Sequence, residues 1–126
     1  MTENPLLIVD GANVVGSRPN GWWRDRAGAA ARLRDALAPV AAEGLPARLT
    51  APVDVVLVVE GAARDVPGID EVRVVSAPGS GDDTVVELVR AAPQRRRLVV
   101  TADRELRERV TALGAEVYGP RWLREN

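Results

Sequence analysis

The 126-residue chain has no histidine, cysteine or phenylalanine, and it also lacks lysine, so all 17 of its basic side chains are arginine. These absences exclude whole classes of chemistry. Without His or Cys there is no Ser-His-Asp or Cys-His nucleophile and no His/Cys zinc site; without Lys there is no Schiff base and no P-loop lysine. No apolar run approaches the roughly 20 residues that a bilayer span requires. Residues 1–5 lack the basic and apolar regions of a signal peptide. A soluble, cytoplasmic protein without membrane contact is expected, and zero Cys fits a reducing compartment. What remains is carboxylates, arginine, hydroxyls and backbone amides. Catalysis must then be carboxylate acid/base work or hard-metal work on oxygen ligands, with Mg²⁺ or Mn²⁺ as the ions such ligands suit.

Length and a hydrophobic fraction of 46% fit one domain spanning residues 1–126. A net charge of -1 argues against a blanket electrostatic nucleic-acid binder but allows a local basic patch beside a local acidic one. Five β-rich runs stand out, at 6–9, 53–59, 72–75, 98–100 and 116–118. Most are continuous Val/Leu/Ile rather than alternating, the pattern of strands buried on both faces of a parallel sheet. Helical spacing predicts helices over 25–43, 83–92 and 104–113, with Gly44, Pro93 and Gly114 as their stops and Pro39 kinking the first or splitting off its last turn. The stretch 62–70 reads as a loop or an isolated helical turn. Arg95, Arg96 and Arg97 read as a solvated turn at the amino end of a strand. The order β-α-β-β-α-β-α-β gives an α/β three-layer fold with a mostly parallel five-stranded sheet.

In such a sheet, ligands sit beyond the carboxyl ends of the strands. Asp10, Glu60, the pair Asp82 and Asp83, and Asp103 all follow strands. Strand-end acids also serve as helix caps, and Asp83 and Asp103 suit that role. Gathering them in one crevice carries an electrostatic cost, because two unit charges about 5 Å apart repel by roughly 3 kcal/mol at an effective dielectric of about 20. A cluster of that kind binds a divalent cation, raises a carboxyl pKa, or does both. An ion held there would activate water against a phosphodiester.

The segment Leu7-Ile8-Val9-Asp10-Gly11-Ala12-Asn13-Val14-Val15-Gly16, with Gly81-Asp82-Asp83 and Val99-Val100-Thr101-Ala102-Asp103-Arg104, resembles the NYN domain family of PIN-like nucleases, in particular its small single-domain bacterial members. The resemblance covers nearly the whole chain. It implies a divalent-metal-dependent nuclease, most often acting on RNA, with strand order 3-2-1-4-5. By motif, Asp10, Asp83 and Asp103 correspond to the catalytic, metal-binding acids, with Asp82 and Glu60 as auxiliary metal ligands. Asn13 would orient Asp10, and Thr101 would hydrogen-bond the cluster. Glu60 departs from the pattern, since many relatives carry Asp there.

Arg104 could contact the scissile phosphate or lock a carboxylate. Trp22 and Trp23, flanked by Arg18, Arg24 and Arg26, hold the parts of a single-stranded nucleic-acid platform, although one ring could equally plug the core. The expected partner is single-stranded RNA, and an exposed Trp loop could support a homodimer. Two other classes fit the same residues: a catalytically silent RNA- or protein-binding module, and a nucleotide phosphohydrolase.

Overall fold

In a computed structural model, residues 3–17 and 21–123 are described, except for the side chain of Trp22. The continuous apolar runs form five strands: β1 (Leu6–Asp10), β2 (Asp54–Val59), β3 (Val72–Ser76), β4 (Arg97–Val100) and β5 (Glu116–Tyr118). Every pairing among them is parallel and the order is β3-β2-β1-β4-β5. Side chains alternate across a strand, so each run supplies two cores. Leu7, Val9, Val55, Leu57 and Val59 face one layer, while Leu6, Ile8, Val56 and Val58 face the other.

Among the described residues, four helices cover the two faces: α1 (Gly11–Gly16), α2 (Arg26–Glu43), α3 (Gly81–Arg90) and α4 (Arg104–Thr111). Val14 of α1 and Leu33, Leu37 and Val40 of α2 seal the first layer. Val85, Val86 and Val89 of α3 with Leu106 and Val110 of α4 seal the second. Each fully buried Val or Leu contributes about 1.5–3 kcal/mol, and this two-sided burial holds the strand ends, and so the acids, in fixed register.

Several expectations change. A short helix, α1, outside the helices predicted from spacing, starts directly after Asp10. α2 runs unbroken through Pro39, whose ring is exposed, so the last turn is not split off. α3 begins at Gly81 rather than at Asp83, because the Ser80 hydroxyl caps it by accepting from the Asp82 amide at 3.1 Å. The stretch 62–70 is, as expected, a loop, with the end of one isolated 3-10 turn at Gly61–Ala63. Arg97 is not solvated. It is 6% exposed, and its guanidinium donates to the carbonyls of Arg95, Val89 and Leu113, tying down the ends of α3 and α4. Arg95 and Arg96 pair with Asp54 and Glu116 at the same amino edge. Among the described residues no helix is long and apolar enough to cross a membrane.

Candidate active site

The sheet register explains why acids meet at one edge. Val9 is level with Val100, so Asp10, the last residue of β1, lies opposite Thr101 just beyond β4. Asp10 is level with Val58, which places Glu60 two residues beyond it. The close approach of α1 to β2 requires Gly11, since a Cβ there would meet the Val58 carbonyl oxygen at 2.5 Å.

Asp10 is 5% exposed and Thr101 is fully buried. The Thr101 hydroxyl donates to Asp10 Oδ2 at 2.9 Å and accepts from the Asp103 amide at 3.1 Å. Asn13 acts on the neighbouring loop: its Oδ1 accepts from the Ala102 amide at 2.8 Å, pinning the segment that carries Asp103 against α1. Asp103 Oδ1 in turn caps α4 by accepting from the Leu106 amide at 2.9 Å. Glu60 Oε2 accepts from the Gly81 amide, so this longer side chain spans from β2 to the start of α3.

Four acids that follow β1, β2, β3 and β4 act on one another there: Asp82 and Glu60 on Asp10, and Asp103 and Glu60 on Asp82. Burial pushes the Asp10 carboxyl up to about 6 from an ordinary 3.8; the Thr101 hydroxyl and the Asn13 backbone amide work against that, while the charges of Asp82 and Glu60 add to it. Asp82 is also raised, first by burial and then by Asp103 and Glu60, with Arg109 as the opposing cation and Glu105 adding further repulsion. Asp82 is therefore linked to each of the other three: it raises Asp10, and Asp103 and Glu60 raise it. Asp83 is exposed: successive helical residues point about 100° apart, and its Oδ1 accepts from Arg109 Nη2 at 3.1 Å.

The donor chemistry of Asp10, Glu60, Asp82 and Asp103 suits a hard divalent cation, being all oxygen and mutually repelling. Their side chains are not closed around one point, however. Asp10, Glu60 and Asp103 each commit an oxygen to a hydrogen bond, and no group of three or more acids among the described residues is gathered so that it could hold an ion.

The other expected residues lie around this set. Arg104 is exposed at the start of α4. Trp23 is 55% exposed, and the Arg24 guanidinium stands 5.8 Å from its ring centroid, within cation–π range. Arg18 and the side chain of Trp22 lie outside the described residues. Sequence reasoning missed Arg109, whose partner Asp83 is 26 positions away, and no local motif links the two. It also missed Arg64, which borders a cavity beside Glu60.

No protein-family model matches this sequence, and no curated protein matches it. Among solved structures, the chain is similar to a crystal structure of Rae1 (YacP) from Bacillus subtilis carrying a single substitution. The TM-score is 0.72 at 21% identity, over 94% of this chain and 72% of that one. At that identity the likeness is one of fold: a three-layer α/β domain with a parallel sheet in the order 3-2-1-4-5.

Proposed function

We propose that this chain is a divalent-metal-dependent nuclease that hydrolyses phosphodiester bonds in single-stranded RNA. The observation that carries the reading is the placement of Asp10, Glu60, Asp82 and Asp103 at the carboxyl edge of the sheet, where burial first and neighbouring carboxylates second raise Asp10 to about 6 and also raise Asp82. The NYN-like motifs and the fold shared with Rae1 support it. So does the lack of any His, Cys or Lys that could run another hydrolytic chemistry.

Asp10, Asp82 and Asp103, with Glu60, are the residues that would hold Mg²⁺ or Mn²⁺; such an ion supplies an activated water and neutralises charge on the phosphodiester. The chain's own groups prepare that task. Thr101 fixes the Asp10 carboxylate and the Asp103 backbone through one hydroxyl, and Asn13 holds the intervening loop. Arg109, kept beside Asp82 by Asp83, offers a cation to the phosphate backbone. Trp23 with Arg24 offers a face on which an unpaired base stacks, a contact contributing about 1–3 kcal/mol. No side chain need form a covalent intermediate.

The test is cleavage of single-stranded and duplex oligoribonucleotides with Mn²⁺. The single strand is cut, cutting stops with a chelator, and Asp10→Asn is inactive while its melting temperature is unchanged or higher. Equal cleavage by this variant and the wild type would refute the assignment. A silent RNA-binding module is the reading favoured by the open arrangement of the acids; it binds the same oligonucleotides and leaves them intact.

A further inference from the structure

Next to the acids lies a cavity of about 430 Å³, and Glu60 belongs to both. Its lining includes the apolar Val15, Ala30, Val59 and Ala63 together with Arg26 of α2 and Arg64. That size falls within the range of about 300–1,000 Å³ typical of small-ligand sites, which pair an apolar lining with a few placed polar groups. Apolar lining residues, two arginines and adjacency to the carboxylates together suit one kind of occupant: a flat, apolar-faced group carrying an anion.

We propose that this cavity is the subsite for one nucleotide of the RNA strand, adjacent to the phosphodiester that is cut. The base lies against Val15, Ala30, Val59 and Ala63, and its phosphate meets Arg26 and Arg64. The charges fix the direction. Glu60, anchored at the wall by the Gly81 amide, repels a phosphate, so the anion goes to the arginines, whose planar forks suit phosphate oxygens. This inference rests on the nuclease reading but concerns binding, which can be measured without cleavage.

Two variants change the cavity at little cost to the fold. Arg64 is exposed, so Arg64→Gln removes a cation from the wall and leaves the core alone. A Cβ at Gly79 meets nothing within 4 Å, and its backbone is not in the left-handed region, so Gly79→Phe adds bulk at the cavity wall without strain.

Binding of a short single-stranded oligoribonucleotide and of free nucleoside 5′-monophosphates is measured by calorimetry with divalent ions chelated. Thermal melting controls for folding. The wild type binds the oligonucleotide more tightly than the monophosphates, and both variants lose about tenfold or more of that affinity. Unchanged affinity in both folded variants would overturn the subsite, and so would monophosphates binding as tightly as the strand. Loss of binding in the variants, with a wild type that never cuts RNA when Mn²⁺ is restored, would sink the nuclease reading and leave the subsite standing. Cleavage together with unchanged binding would do the reverse.

Discussion

The Thr101 hydroxyl donates to Asp10 Oδ2 across 2.9 Å, joining residues 91 positions apart in the sequence. The same oxygen accepts from the Asp103 amide, so one buried hydroxyl sets the spacing between two of the acids. Thr101→Val keeps the volume and removes both bonds, leaving the buried Asp10 carboxylate and the Asp103 amide short of a partner. The expected cost is about 1–3 kcal/mol in urea unfolding. Because the hydroxyl favours the Asp10 anion, the Asp10 carboxyl also moves further above about 6, which an NMR titration reads directly.

The raised Asp10 carboxyl makes stability depend on pH in a definite direction. Its folded value of about 6 exceeds the ordinary 3.8, so folding favours the protonated form. That contribution is fully present below about pH 4, is lost as pH rises through about 6, and amounts to about 3 kcal/mol at 1.36 kcal/mol per unit. Asp10→Asn is therefore more stable than the wild type at pH 8 by up to that amount and has no such advantage at pH 4. Chemical unfolding at the two pH values checks this, and an equal gain at both would contradict it.

Much of this architecture was legible because burial leaves a mark on composition. Unbroken Val/Leu runs such as 53–59 require cover on both faces, and the residues just past them had to lie at one edge. The acids themselves were visible for that reason. Their division of labour was not, because it depends on where a helix begins. Starting the second predicted helix, α3 of the structure, at Asp83 overlooked Ser80, although Ser80 and Asp83 have the three-residue offset of a helix-start signal. Capping by Ser80 turns Asp82 toward the cluster and Asp83 toward Arg109. Arg97 was hidden for a different reason: its partners are backbone carbonyls at the ends of α3 and α4, which no residue pattern announces.

The division between neighbouring acids is directly testable. Asp82→Asn removes the carboxylate coupled to Asp10, Glu60 and Asp103 and abolishes Mn²⁺-dependent RNA cleavage. Asp83→Asn only loosens an exposed pair with Arg109, of a kind contributing about 1 kcal/mol or less. It retains most of the rate. Single-turnover cleavage of one oligoribonucleotide by both variants decides the matter, and the opposite ranking would return the central role to Asp83.

Arg97→Met tests the amino edge separately. It deletes three hydrogen bonds from a buried guanidinium and should lower unfolding stability by about 3 kcal/mol. At a temperature where the variant is folded, RNA cleavage per folded molecule stays at the wild-type level, since Arg97 lies at the opposite end of the sheet from the acids.

Calorimetric titration of Mn²⁺ into the protein at pH 6 and pH 8, in buffers of different ionisation enthalpy, asks most directly whether the carboxylates form a cation site. One saturable event is expected, absent in Asp10→Asn and in Asp82→Asn. Because Asp10 is partly protonated at pH 6 and ionised at pH 8, the heat varies with the buffer at the lower pH and not at the higher. Heats no larger than dilution in the wild type, or the same isotherm in all three proteins, would contradict the account.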